Sequence, residues 1–284
     1  MNRLVLFAVL LLTSACSAQP SHFLDLPQTP RVLGMGGGFV SVTDGPEAGF
    51  LNPSGLRLLK QAGYDVFYGS TSRVGPDQLG FALSNPGGQH GAAFAMGFWS
   101  QGWTERRRPT YYVPYTGTSF DLTSSTHLGL VMRFPYVTST DSAVSSGWRT
   151  LGDVSVLQTF ESVRVAAAVE RAFGGGANII PRKLRAGSSF LSASSGIVVA
   201  YEWQGDQTRK SFNFMRSSSH YGAEVPIGKF ALIRGGYISG AQHRVAMGVA
   251  IGTMSAGWRI EGGWELPAAV RGETRWVIGM GYCI

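Results

Sequence analysis

The stretch TRWVIGMGYCI (274–284) places an apolar or aromatic side chain at most second positions, with small or charged residues such as Arg275 and Gly279 between them. Successive side chains of a β-strand point to opposite faces, so this pattern predicts a strand with one apolar face and one small or charged face. The same alternation recurs in THLGLVMRF (126–134), SVRVAAAVER (162–171), SGIVVAYEW (195–203), HRVAMGVAIG (243–252) and MSAGWRIEGGW (254–264). The chain from residue 63 onward is therefore predicted to be all-β.

Composition indicates where these strands lie. Only 14% of the residues are charged and 39 are glycine, an unusual balance for a soluble protein. The longest apolar candidate beyond the N-terminus, VAMGVAIGTMSAGW (245–258), is shorter than the roughly 20 residues that a membrane helix needs. A membrane-like composition without membrane helices predicts a closed transmembrane antiparallel β-barrel. Allowing about 16 to 18 residues for each strand and its connection favours fourteen strands over twelve, since bacterial barrels take even numbers.

Three regions follow from these patterns. Residues 1–18 have a positive charge at Arg3, an apolar run and then small residues, which is typical of a secretory signal peptide. Cys16 is either removed by cleavage after Ala18 or kept and lipidated. Residues 19–62 form a Gly/Pro-rich segment, and residues 63–284 the outer-membrane barrel.

Several function classes lack their motifs. GMGGGF (34–39) begins like a dinucleotide fingerprint, but Phe39 stands at its third key position and no strand precedes it. The net charge of +7 would suit nucleic acid in a cytoplasmic protein, whereas export makes that partner unexpected. No hydrolase motif occurs, and the histidines are scattered without metal-ligand spacing. We therefore expect no enzyme, no cofactor and no metal site.

The Gly/Pro-rich segment predicts short helices. Asn52 can cap a helix that has Pro53 at its first position, and Pro46 with Glu47 offers a similar start. These helices would follow a glycine-rich turn or strand and form a compact plug in the barrel. The alternative is a periplasmic extension packed under the barrel.

The stretch RVLGMGGGFVSVTDGPEAGFLNPSGL (31–56) resembles the N-terminal signature of FadL-type outer-membrane proteins and their PorV/PorQ-like relatives. That signature has a G-M-G-G-A-F stretch and then an N-P-A-G-L turn. The matching positions are Gly34, Met35, Gly36, Gly37, Phe39, Asn52, Pro53, Gly55 and Leu56, while Gly38 and Ser54 replace alanines. YGAEVPIGKFALIRGGY (221–237) also resembles the repeated strand pairs of that family.

The resemblance implies a monomeric barrel, commonly of fourteen strands, whose N-terminal segment folds into the lumen as a hatch. It also implies an outer-membrane location in a Gram-negative-type bacterium, with the lipid bilayer as surroundings. FadL members move fatty acids or other hydrophobic compounds, which predicts binding or passage of such ligands. PorV-like members instead serve secretion machinery, so a non-transporting partner of a secretion or surface-attachment system is the alternative. The hatch motif would comprise Gly34, Gly36, Gly37, Asn52, Pro53 and Gly55.

Charged residues on the predicted lumenal face admit two interpretations. The arginines are Arg133, Arg164, Arg244, Arg259 and Arg275, and the possible partners are Glu170, Glu202, Glu224 and Glu261. They could form salt bridges that hold the lumen together. Alternatively, the arginines form a path that attracts a carboxylate or another anionic, amphipathic ligand.

Overall fold

The computed structural model describes residues 27–71, 76–87, 92–103, 110–139, 146–174, 182–208, 211–240, 243–252, 257–268 and 273–284. The predicted signal peptide, Cys16 and residues 19–26 lie outside these ranges. Among the described residues, three short helices come first: α1 (Pro30–Gly34), α2 (Ala48–Leu51) and the 3₁₀ helix η1 (Pro53–Leu58). No helix among the described residues is long and apolar enough to cross a membrane.

In the described ranges, all of the remaining regular structure is β-strand. The strands are β1 (Gly63–Thr71), β2 (Pro76–Asn85), β3 (Ala93–Trp103), β4 (Thr110–Asp121), β5 (Thr126–Arg133), β6 (Tyr136–Thr138), β7 (Gly147–Trp148), β8 (Leu151–Phe160), β9 (Val163–Gly174), β10 (Arg182–Leu191), β11 (Val198–Thr208), β12 (Ser211–Ile227), β13 (Ala231–Ser239), β14 (Arg244–Gly252), β15 (Gly257–Pro267) and β16 (Arg275–Cys283).

The sheet closes on itself as an antiparallel barrel. β1 pairs with β16 from Gly63 opposite Cys283 to Thr71 opposite Arg275. Each long strand otherwise pairs with the long strands before and after it, and β5 pairs directly with β8. The short β6 and β7 form a side hairpin on β4. Sixteen strands less these two leave the fourteen that the sequence favoured. We call the end at Gly63 and Cys283 the terminal end, and the opposite end the distal end.

The barrel is apolar outside and charged inside. Ile260 on β15 is 66% exposed on the outer face, whereas its neighbours Arg259 and Glu261 point inward and Glu261 is buried. On β16, Ile278 and Met280 are likewise exposed, and Val277 between them is buried. A soluble barrel would reverse this arrangement, so the outer surface is built to face lipid. The two faces predicted for these strands are confirmed.

Aromatic side chains collect on the outer face at the terminal end. Trp258 lies 4.8 Å from Tyr282 and 5.9 Å from Tyr64, measured between ring centroids. Rings at this level are typical of the belt where a barrel wall meets the membrane interface.

Residues 27–62, which we call the hatch, occupy the barrel interior. The helix α1 packs on β14, β15 and β16, while η1 packs on β4 and β5. Hatch side chains such as Leu33, Phe39 and Phe50 are fully buried against the inner wall. The contacts reach the middles of strands, since Gly34 meets Gly248 within β14. This placement agrees with a plug in the lumen and not with an extension beneath the barrel.

Candidate functional site

The hatch begins with a helix that the sequence analysis missed. Thr29 caps α1 by accepting a hydrogen bond from Val32 N at 3.3 Å, and Pro30 occupies the first turn. A threonine followed by proline is a recognised helix-start pattern, so the signal was present. The surrounding glycines led instead to the expectation of a turn or strand.

A tight glycine turn follows α1. Gly36 and Gly37 have φ angles of 64° and 77°, which strain any residue with a side chain. A Cβ on Gly36 would also lie 3.1 Å from Tyr237 N in the wall. The carbonyl oxygen of Gly36 lies 2.6 Å from Nδ1 of buried His220 on β12. The glycines therefore let the hatch backbone lie directly on the wall.

Gly38, by contrast, needs no special conformation. Its Cβ position lies 3.6 Å from His220 Cβ, an ordinary contact distance, and its φ is not positive. The alanine that the resembled signature carries at this position would fit here.

Asn52 and Pro53 start η1 as predicted. The Asn52 side-chain oxygen accepts hydrogen bonds from the backbone N–H and the hydroxyl of Ser54, at 3.3 and 2.6 Å. Its amide nitrogen donates to the carbonyl oxygen of Val40 at 2.5 Å. Three residues after Asn52, Gly55 abuts the backbone carbonyl of Thr43, where any side chain would collide. The motif at 52–55 thus holds η1 against the hatch segment 40–43.

Replacing Asn52 with alanine should lower the free energy of unfolding by about 1 to 2 kcal/mol, because one helix cap and one buried hydrogen bond are lost. Asn52→Asp keeps the capping oxygen but turns a carboxylate oxygen toward the Val40 carbonyl oxygen in a buried site, so its loss should be at least as large. Urea unfolding of the protein in lipid vesicles measures both. Equal stability of wild type and Asn52→Ala would contradict this role.

The predicted start at Pro46 and Glu47 is wrong by two residues. The helix α2 begins at Ala48, and its N-cap Glu47 makes no side-chain capping bond. The Glu47 carboxylate instead lies 3.4 Å from a guanidinium nitrogen of Arg31. The Glu47 side chain therefore forms a tertiary ion pair and does not cap the start of α2.

Glu202 on β11 anchors the middle of the hatch. This fully buried carboxylate accepts hydrogen bonds from the backbone N–H groups of Phe39 and Val40, at 2.7 and 2.6 Å. It also pairs with Arg185 on β10 at 2.5 Å. Arg185 in turn donates to the carbonyl oxygen of Leu51 at 3.2 Å. One wall ion pair thus holds two segments of the hatch.

A second network joins α1 to four strands. Arg31 pairs with Asp44 at 2.7 Å within the hatch and with Glu224 of β12 at 3.0 Å. Glu224 also pairs with Arg234 of β13 at 2.7 Å. The chain of charges continues through three further pairs: Arg234 with Glu261 at 2.5 Å, Arg259 with Glu261, and Arg259 with Asp65 at 3.0 Å.

The five predicted ligand-binding arginines all sit on the lumenal side, each within reach of a carboxylate. Their partners are Asp153 for Arg133, Asp44 for Arg164 at 3.1 Å, Glu265 for Arg244 at 2.6 Å, Asp65 and Glu261 for Arg259, and Glu265 for Arg275 at 4.0 Å. Arg133 also donates to the carbonyl oxygen of Phe50 in the hatch at 2.7 Å. This pairing favours the salt-bridge interpretation, and ligand binding by these residues stays a prediction.

Three arginines that the sequence patterns did not single out pair with the predicted glutamates: Arg31, Arg185 and Arg234. Glu202 and Glu170 pair with Arg185, and Glu224 pairs with Arg31 and Arg234. Arg185 and Arg234 obey the same alternation in their strands, so a fuller reading of RKLRAGSSFL (182–191) and ALIRGGYIS (231–239) would have found them.

Asp44 gives the hatch a dependence on pH. Burial alone would raise the pKa of Asp44, but attraction to Arg31 and then to Arg164 outweighs burial and holds the pKa below its usual value. A carboxyl group with a lowered pKa stabilises the fold above its unfolded pKa of about 3.9 and loses that contribution as the pH falls through the folded pKa.

We therefore expect Asp44→Asn to lower the Tm in detergent at pH 6, and the difference from wild type to vanish as the pH falls well below 4. Thermal unfolding followed by circular dichroism at a series of pH values tests this. A Tm difference that stays constant across the series would show that the Asp44 charge does not act this way.

The lumen beside this network is nearly full. A small cavity lined by Arg31, Glu47, Asp65, Arg259 and Glu261 has a volume of about 10 Å³. That volume holds about one water-sized probe, so the described conformation leaves no passage at this point. Among the described residues, no three or more His, Cys, Asp or Glu side chains are placed to hold a metal ion.

Comparisons with known proteins support the fold. No family model and no curated protein matches the sequence. Among solved structures, the CymD monoaromatic hydrocarbon channel matches with a TM-score of 0.66 and 12% identity, over 92% of this chain and 99% of that chain. The Pseudomonas putida toluene transporter TodX matches with a TM-score of 0.66 and 11% identity, over 93% and 99%. A Pseudomonas aeruginosa FadL homologue matches with a TM-score of 0.63 and 8% identity, over 92% and 99%.

At these identities the likeness shows a shared fold. The chain is a closed antiparallel β-barrel with fourteen strands and a lumenal hatch, and it shares its fold with the FadL homologue and the two channels. None of these three structures is a PorV-like or PorQ-like protein.

Proposed function

We propose that this barrel binds or passes hydrophobic or amphipathic compounds, with fatty acids as the substrate class and the outer membrane as its location. The proposal draws on the fold shared with CymD and TodX, which are a hydrocarbon channel and a toluene transporter. It assigns no catalytic step to the protein.

An aromatic patch on the lumenal wall carries the proposal. The patch consists of Trp99, Gln101, Tyr111 and Tyr115 on β3 and β4. The ring of Phe50 in the hatch covers it, with centroids 6.1 Å from Trp99 and 5.5 Å from Tyr115. The patch is therefore an apolar surface at the boundary between hatch and wall.

The polar atoms of the aromatic patch are unusual. Trp99 Nε1, Gln101 Oε1 and the hydroxyls of Tyr111 and Tyr115 are buried without a hydrogen-bond partner among the described residues. Buried polar atoms are nearly always partnered, so a group of exceptions in one place calls for an explanation. The Arg133 guanidinium lies 5.6 Å from the Trp99 ring centroid. Apolar rings with polar atoms and a cation suit an amphipathic ligand.

The mechanism we infer is diffusion coupled to movement of the hatch. A ligand takes the place of Phe50 against the rings of Trp99 and Tyr115, and the free polar atoms bind its polar group. Arg133 orients a carboxylate, and Arg164, Arg244, Arg259 and Arg275 extend the positive lining along the lumen. The ligand leaves when the hatch or a gap in the wall shifts.

Uptake of radiolabelled oleate into liposomes that contain the purified protein tests the proposal. Wild type should accelerate uptake over protein-free liposomes, and Tyr111→Phe and Trp99→Phe should reduce it. Tyr112→Phe is the matched control, because Tyr112 neighbours Tyr111 but is exposed on the outer face. Wild-type uptake equal to that of protein-free liposomes would count against transport.

The tight fit of the hatch favours a second candidate, a non-transporting partner of a secretion or surface-attachment system. The hatch backbone contacts wall glycines directly, and the cavity beside Arg31, at about 10 Å³, has room for about one water molecule. Purification from native membranes separates the two candidates. Recovery with secretion components, combined with absent oleate uptake, would support this second candidate.

A further inference from the structure

A groove lies on the outer face of the barrel across β10 to β13, away from the hatch side of the wall. It has a volume of about 600 Å³, within the range of about 300 to 1,000 Å³ that is typical of ligand pockets. The distal side of the groove is a row of three tyrosines that lie directly opposite one another on β11, β12 and β13: Tyr201, Tyr221 and Tyr237. Their ring centroids are 5.3 and 6.4 Å apart along the row.

The floor of the groove is made by the next row toward the terminal end, where Ala223 pairs with Gly235. No heavy atom lies within 4 Å of the Cβ position of Gly235, so the floor is open toward the outside. Behind the floor, the hatch backbone at Met35 and Gly36 abuts Gly236. The depression exists because small residues stand here between large apolar neighbours.

The surroundings of the groove are apolar and continuous with the lipid-facing surface. Phe190, Val199 and Ile233 beside it are each 45 to 51% exposed on the outer face. An occupant must therefore come from the hydrocarbon region in which this surface lies.

The distal edge of the groove is polar. The Tyr237 hydroxyl lies 2.7 Å from His243 Nδ1, and the Tyr201 hydroxyl lies 3.4 Å from Ser219 Oγ. Both polar partners are distal to the tyrosine row, so the hydroxyls point toward the distal interface. Tyrosine takes this orientation where one end of its ring is apolar and the other meets water or headgroups.

We propose that this groove is a binding site for an acyl chain of a membrane phospholipid. The chain lies along Ala223 and Gly235 under the faces of the three tyrosine rings. The ester and phosphate region of the lipid lies at the polar edge formed by Tyr237 and His243. This site is separate from the lumen and does not depend on the proposed transport.

Native mass spectrometry of the detergent-purified protein tests the site, with palmitoyl-oleoyl phosphatidylethanolamine as the probe. Wild type should retain one probe lipid that Gly235→Phe loses, because the new ring fills the open floor. Thr116→Phe is the matched control, since Thr116 lies on the outer-face register of β4 and should retain the lipid. Ala223→Leu fills the same floor with a smaller change, in case Gly235→Phe does not fold.

Equal lipid retention by wild type, Ala223→Leu and Gly235→Phe would overturn the proposal. Retention of added oleate with no retention of the phospholipid would also overturn it, because the occupant would then be a free fatty acid. Loss of the lipid in Thr116→Phe as well would show that the loss does not come from filling the groove, which likewise contradicts a site defined by the groove.

Discussion

Glu202→Ala should release the hatch from the wall while the barrel stays closed. The substitution leaves the N–H groups of Phe39 and Val40 unsatisfied and removes the nearer carboxylate partner of Arg185. Removing one partner of a buried ion pair costs about 3 to 5 kcal/mol, much of it from the charge left behind. Because the two lost N–H contacts join hatch to wall, and Arg185 also holds Leu51 of the hatch, a large part of the cost should fall on hatch docking.

Trypsin cleavage after Arg31 reports this release, since the Arg31 side chain is mostly buried and ion-paired in the docked hatch. Glu265→Ala is the matched control: Glu265 is equally buried and pairs with Arg244, but both residues belong to the wall. We expect cleavage in Glu202→Ala and protection in wild type and Glu265→Ala. Equal protection of all three would mean that Glu202 does not hold the hatch.

Gly129→Leu should displace the hatch by direct collision. Even the first side-chain carbon at residue 129 would overlap the backbone of Pro53 and Ser54 in η1, and it would lie 2.7 Å from Ser155 Oγ. Overpacking a close-packed interior typically costs about 1 to 3 kcal/mol, and the hatch backbone at Pro53 and Ser54 leaves little room to relax. Unseating η1 should open a path through the lumen.

Conductance in planar lipid bilayers measures that opening. We expect stable channels from Gly129→Leu and little conductance from wild type. Gly235→Leu makes the same substitution on the outer face, where a Cβ meets nothing, and should behave like wild type. Closed Gly129→Leu channels together with a normally folded barrel would show that the hatch accommodates the added side chain.

The wall strands were predictable from the alternation of apolar and polar residues, because one face of the wall meets lipid and the other meets the charged lumen. In 274–284, for example, each apolar residue assigned to lipid and each small residue assigned to the lumen lies where the pattern placed it. The start of η1 at Pro53 was predictable for a similar reason, since its cap is local to Asn52 and Ser54.

Partners across the lumen were not predictable in the same way. Arg31 meets Glu224 across 193 positions of sequence, and only the barrel's closure and register bring them together. Within the hatch, Glu47 pairs with Arg31, 16 residues away, and makes no capping bond at the helix start expected of it. The sequence showed the glycine run at 34–38 but not why glycine is needed there. The need comes from the wall, because Gly248 contacts Gly34 and Gly236 contacts Gly36.

A disulfide between hatch and wall tests the docked hatch most directly. The Cβ position of Gly38 lies 3.6 Å from His220 Cβ, within the roughly 3.5 to 4.5 Å that a disulfide requires. We predict that Gly38→Cys with His220→Cys, in a background with Cys16 and Cys283 replaced by serine, forms an intramolecular disulfide in native membranes. Gly38→Cys with Thr116→Cys should form none. A correctly folded barrel in which the first pair stays reduced under mild oxidant would contradict a hatch seated in the lumen.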